Sequence, residues 1–135
     1  MENKKFKNLQ EEIQKDIFLD KKNILQKSID VPVLFNKYLQ YYINELHLLK
    51  NQITIKDRLY GELYDKFKFH YDYELKNKAE IDAYINKHPK YYEITLKINT
   101  LETQVKFLEK TIENVKNMNY NIKNYLELEK FLNGY

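Results

Sequence analysis

Residues 35–67, FNKYLQYYINELHLLKNQITIKDRLYGELYDKF, decide the fold. Phe35, Leu39, Tyr42, Leu46, Leu49, Ile53, Lys56, Tyr60, Leu63 and Phe67 follow one another at alternating spacings of four and three without a slip, and every one except Lys56 is apolar or aromatic. That is the heptad stripe of a helix. Tyr38, Tyr41, Leu48, Ile55 and Leu59 widen it, so the helix must bury more than a simple seam. A helix over 33–67 reaches about 50 Å at 1.5 Å per residue. No small monomeric domain covers that length, so partner helices are required.

On the N-terminal side, Leu9, Ile13 and Ile17 recur at i, i+4 and i+8, which predicts an amphipathic helix over 6–19 with Asp20 at its end. Pro32 is followed by Val33, and Pro is tolerated in a first turn, so the long helix is expected to begin there and run over 33–67. On the C-terminal side, Phe67-Lys68-Phe69-His70-Tyr71-Asp72-Tyr73 alternates aromatic with polar. Period two is strand-like, so residues 67–73 read as a short strand or an extended arm. Residues 80–87 form a helical turn before His88-Pro89. Tyr91, Ile94, Ile98, Leu101, Val105, Leu108, Ile112 and Val115 then make a second heptad run, and a second long helix is expected over 89–116. The stretch Asn117-Met118-Asn119-Tyr120-Asn121 is expected to break or bend it. A last helix over 121–133 carries Ile122, Tyr125, Leu126, Leu128, Phe131 and Leu132, with Gly134 as its stop. Two glycines and two prolines in 135 residues agree with long helices and not with an all-β chain. The expectation is a single all-α domain over 1–135, built from elongated helices with heptad seams.

Several classes of function are excluded or left without support. There is no cysteine, hence neither a disulfide nor a thiolate metal site. No run of 18 apolar residues occurs and the N-terminus is polar, so a soluble, cytoplasmic protein with no membrane partner is expected. His47, His70 and His88 are scattered, without metal-ligand spacing. Glycine-rich phosphate loops, a nucleophile elbow and paired buried carboxylates are all missing. Glu11-Glu12 and the Glu/Lys pairs of 102–113 read as solvated helix faces. Neither catalysis nor a cofactor is expected.

The cations are unevenly informative. Of 23 basic residues only Arg58 is an arginine, in Ile55-Lys56-Asp57-Arg58-Leu59. A guanidinium grips phosphate bidentately and stacks on rings, which an ammonium does not. The formal charge is a mild +3, with a small cationic excess around Lys50, Lys56 and Arg58. Lys56 and Arg58 lie about 200° apart on a regular helix, Lys56 on the heptad stripe and Arg58 on the polar face. Two readings stay open: phosphate contacts, or an Arg58–Glu62 pair with Lys56 snorkelling from the stripe. The neighbouring Lys66, Phe67, Lys68 and Phe69 suit a single-stranded nucleic acid, whose bases stack on aromatic rings for roughly 1–3 kcal/mol each. The same aromatics would equally serve packing between subunits.

Two stretches resemble a known family. Leu9-Gln10-Glu11-Glu12-Ile13, Lys15-Asp16-Ile17-Phe18-Leu19-Asp20 and Leu25-Gln26 are similar to the N-terminus of the UvsY family of phage recombination mediators, and Ile55-Lys56-Asp57-Arg58-Leu59 resembles its Lys-x-Arg-Leu element. The tail from Ile122-Lys123 through Phe131 to Gly134 is also similar. The resemblance implies single-stranded DNA binding, with Lys56 and Arg58 as phosphate contacts, and a homo-oligomeric ring of hexamer or heptamer class. The ring would be closed through 121–133, with Ile122, Tyr125, Leu126 and Phe131 as the assembly residues. It further implies partnership with a RecA-like recombinase that displaces single-strand-binding protein. The sequence departs from the family at Asp57, where a small residue is expected, and in the aromatic run that replaces a Gly-rich acidic linker. The competing reading is a helical coiled-coil adaptor or assembly chaperone without DNA affinity, which the heptads suit equally.

Overall fold

The computed structural model describes residues 2–69 and 77–134. Among these residues the chain forms four helices and no strand: α1 (Glu2–Ile17), α2 (Ile24–Phe69), α3 (Lys78–Lys87) and α4 (Pro89–Asn133). They pack as two compact units, one of Met1–Ile43 with Gln104–Tyr135, the other of Asn44–Thr103.

The first unit packs α1 against the early turns of α2 and the later turns of α4. Its core joins Ile13 from α1, Ile24, Val31, Leu34 and Tyr38 from α2, and Leu108, Val115, Met118 and Ile122 from α4. Phe6 meets Phe107 edge to face at 5.0 Å between ring centres. A local polar box makes the turn between α1 and α2. Asp20 Oδ1 accepts from the backbone N–H of Lys22 and Asn23, Asn23 Oδ1 accepts from the Asp20 N–H at 2.9 Å, and the Asn23 amide donates to the Phe18 carbonyl. The Lys27 ammonium donates to the Asp16 carbonyl at 2.7 Å, satisfying an orphan acceptor at the end of α1.

One buried phenol fixes the register of α1 on α2. Tyr38 is fully buried, so its hydroxyl needs a partner, and it donates to Asp16 Oδ2 at 2.5 Å. Lys37 reaches the same carboxylate at 2.8 Å and also pairs with Glu12, while Tyr41 donates to Glu12. Burial pushes the Asp16 carboxyl up, but the bonds from Lys37 and Tyr38 and the Lys37 charge outweigh it and hold Asp16 below its ordinary 3.8. Burial likewise pulls Lys37 down, and its bonds to Asp16 and Glu12 reverse that and raise it above 10.5.

Three expectations need correction. α2 begins at Ile24, not at Pro32, and runs straight through the proline. An interior proline costs about 3 kcal/mol. Here Pro32 and Ser28, whose carbonyl loses its donor, are both exposed to water, while Ile24, Val31 and Leu34 gain burial only if the helix continues. The Asn-rich stretch does not interrupt α4. Val115, Met118 and Ile122 stay on the buried stripe and Asn117, Asn119 and Asn121 point outward, so a few tenths of a kcal/mol of poor propensity per Asn is overridden. Residues 67–69 are helix, not strand, because Phe67 continues the Leu63 face into the core of the second unit. The rest of the predicted strand, residues 70–73, lies outside the described residues.

Two measurements check this packing. Leu108→Ala should cost about 2–5 kcal/mol, as a fully buried leucine in a seam. Because the folded-state pKa of Asp16 is depressed, its contribution is present above the ordinary 3.8 and lost as pH falls through the depressed value. The raised Lys37 contributes fully below 10.5 and loses that only as pH climbs past its folded value. Thermal melts should therefore plateau through neutral pH. Asp16→Asn should lower that plateau by about 1–3 kcal/mol and flatten the acid limb.

Candidate nucleic-acid interface

The second unit is built on the same principle with a different third helix. α3 opens on Asn77, whose side chain accepts from the Glu80 N–H at 2.9 Å, and closes at His88, extended as the residue before a proline. Pro89 then starts α4, where its missing N–H costs nothing. Ile81 and Ile85 of α3 bury against Leu63 and Phe67 of α2, with Leu59, Tyr60, Tyr64 and Tyr91 packed around them. Tyr60 donates to Asp82 Oδ1 at 2.7 Å, and that bond is the main reason its phenol is pushed up to about 12. Burial and the charges of Asp57 and Asp82 raise Tyr91 as well.

Lys56 and Arg58 part company on this scaffold. The helix is regular through both. Lys56 lies half-buried with its ammonium over the Tyr91 ring, 5.2 Å from the centre, a contact of about 0.5–2 kcal/mol depending on solvation. The cation on the heptad stripe is thus placed by an aromatic face as well as by its stem. Arg58 is exposed on the other flank of α2 and makes no ion pair among the described residues; the alternative Arg58–Glu62 pair does not form. Instead Arg58 lines an open groove of about 400 Å³ that α2 shares with the first turns of α4. Lys90 and Lys97 stand on the α4 wall with Glu93, and Glu62 stands beside Arg58. Ile55, Leu59 and Ile94 form the floor, with Ile55 still 46% exposed.

The remaining candidate residues divide by burial. Phe67 is core, 7% exposed and 5.7 Å from the Tyr84 ring, with the Lys66 ammonium 5.9 Å from its own ring centre. Phe69 is 67% exposed, with Lys68 at 5.3 Å from its ring centre and Lys66 exposed nearby in sequence. At the C-terminal end of α4, Ile122 belongs to the first unit's own core and Tyr125 packs against it, donating to Glu129 at 3.0 Å. Leu126 and Phe131 are exposed, as are Leu128 and Leu132. Sequence reading missed a second exposed stripe in that unit, Leu25, Ile29 and Val33, each about 70% exposed at i, i+4 spacing. Its signal is the i, i+4 spacing, of which a helix over 33–67 takes in only Val33. Among the described residues no group of His, Asp or Glu side chains is arranged to hold a metal ion, and no helix is long and apolar enough to cross a membrane.

The profile of the family described as recombination, repair and ssDNA binding protein UvsY matches residues 12–135. The chain belongs to the UvsY family. Crystal structures of the bacteriophage T4 recombination mediator protein UvsY share its fold. The lattice type IV form superposes with a TM-score of 0.82 at 17% identity, covering 93% of this chain and 96% of that one. The type II form gives 0.81 at 16%, covering 93% and 95%. Among curated protein sequences no significant match is found. The family is one of recombination, repair and single-stranded DNA binding proteins.

The geometry separates the two cations by stability. Arg58→Ala should change stability by no more than about 0.5 kcal/mol in thermal melts, as an exposed side chain with no ion pair among the described residues. Lys56→Ala should cost about 0.5–2 kcal/mol by losing the Tyr91 face, and Tyr91→Leu should remove most of that difference in a double-mutant cycle.

Proposed function

We propose that this chain is a recombination mediator that binds single-stranded DNA and promotes loading of a RecA-like recombinase in place of single-strand-binding protein, working as a closed homo-oligomeric ring in the cytoplasm of a phage-infected cell. The observation that carries the reading is Arg58, the chain's single arginine, exposed on an open face of a regular helix with no ion pair among the described residues. An arginine without an internal partner has its full set of donors free for phosphate. Lys56 supplies a second positive charge from the other flank, positioned by Tyr91. Lys66, Lys68 and the exposed ring of Phe69 extend the surface by one further turn, while Phe67 supports it from within. A mediator needs no active site. It acts through competing affinities: several modest phosphate contacts per subunit, multiplied around a ring, hold the strand strongly enough to loosen its covering protein.

Assembly rests on the first unit. Ile122 and Tyr125 hold the end of α4 in place, and Leu126, Leu128, Phe131 and Leu132 remain available to a second copy. The adaptor reading shares this assembly surface, and Arg58 is what distinguishes the two.

Arg58→Ala should weaken binding to oligo-dT about threefold to tenfold between low and physiological salt, at unchanged oligomeric state by sedimentation. Binding at wild-type affinity would remove Arg58 from the site and leave the adaptor reading in front. Leu128→Glu/Phe131→Glu should yield smaller species that keep their helical circular dichroism. Rings of full size in that variant would rule out the C-terminal assembly surface.

A further inference from the structure

The groove beside Arg58 has a second wall, across from α2. That wall is the first turns of α4, with Lys90 and Lys97 facing the groove. They lie seven residues apart and so stack on one flank, two turns or about 10 Å along the axis. Across from them Arg58 has no ion-pair partner among the described residues. Lys97 is held only loosely, its ammonium 3.9 Å from Glu93 with both side chains more than half exposed, a pair worth little in water. The floor between the walls is apolar, which suits a deoxyribose better than a hydrated ion. Cations on both walls over an apolar floor match the sugar–phosphate backbone of a single strand, which alternates charge with apolar ring.

We propose that this groove is the track of the single strand within each subunit, with Lys90 and Lys97 of α4 contacting phosphates opposite Arg58. The inference rests on the single-stranded DNA reading and locates its path. It also gives Glu62 and Glu93 a defined role: two carboxylates in the same groove repel the strand and keep each subunit's hold weak. A weak hold per subunit lets the strand be passed on. The apolar surface of Leu63 and Phe67 that Ile81 and Ile85 of α3 cover is closed to a strand.

The test is fluorescence anisotropy of a labelled oligo-dT with the full-length protein at two salt concentrations. Lys90→Ala/Lys97→Ala should bind about tenfold more weakly, with a log–log salt slope shallower by about 1.4, as expected for two lost single-strand phosphate contacts. Glu62→Gln/Glu93→Gln should bind more tightly than wild type. All four side chains are exposed, so helicity and sedimentation should not change. Wild-type affinity in the lysine variant, with Arg58→Ala still weakened, would overturn the α4 wall while leaving the DNA-binding reading intact. If Arg58→Ala also binds like wild type, both fall. Unchanged or weaker binding in the carboxylate variant would likewise exclude the groove as the track.

Discussion

Two apolar stripes have to be kept dry along 46 residues of α2 and 45 of α4, and the rest of the structure follows from how that is done. Neither helix is stable alone in water, since helices draw most of their stability from packing of the apolar face. In each unit α2 and α4 cover part of each other's stripe and a third helix covers the remainder. α1 does so in one unit, through Ile13 and the Asp16–Lys37–Tyr38 network. α3 does so in the other, through Ile81 and Ile85. Two helices and one cover leave some surface open, and the character of that surface differs between the units.

In the unit with α3, the groove between α2 and α4 presents Arg58, Lys90 and Lys97 with Glu62 and Glu93 over a short apolar floor. In the unit with α1, the open surface is aliphatic and aromatic, with Leu25, Ile29 and Val33 on α2 and Leu128, Phe131 and Leu132 on α4. Large apolar side chains left exposed at helical spacing mark interaction with other protein. Exposed cations gathered on one groove mark interaction with polyanions. Within a family of recombination, repair and single-stranded DNA binding proteins, these are the two surfaces that the proposed function assigns to assembly and to holding a strand.

Much of this was legible in the sequence, for a physical reason. The four–three spacing from Phe35 to Phe67 has one solution, a helix with a buried stripe, and the same holds from Tyr91 to Val115. The errors came where local propensity was weighed above burial. Pro32 and the asparagines at 117–121 are poor helix formers, yet Val31, Leu34, Met118 and Ile122 beside them are buried only if the helix continues. The aromatic alternation that begins at Phe67 and Phe69 has the period of a strand, yet Phe67 is also the next rung after Leu63 on the buried helix face, and burial decides it. The candidate site was legible in part. The isolation of Arg58 among lysines was visible, and so was its placement on the polar face. That Lys56 rests on Tyr91, or that Lys90 and Lys97 stand opposite Arg58, depends on how α4 lies against α2. No spacing within one helix encodes that.

The central claim is that the strand is held on the face of α2 that carries Arg58 and not on the side covered by α3. Photo-crosslinking tests this directly. An oligo-dT containing 4-thiothymidine would be bound to the wild-type protein, irradiated, and the adducts mapped by mass spectrometry of the digested complex. Adducts concentrated in residues 55–62 and 90–97 are the predicted result. Adducts confined to residues 78–87, or to the first unit, would contradict it.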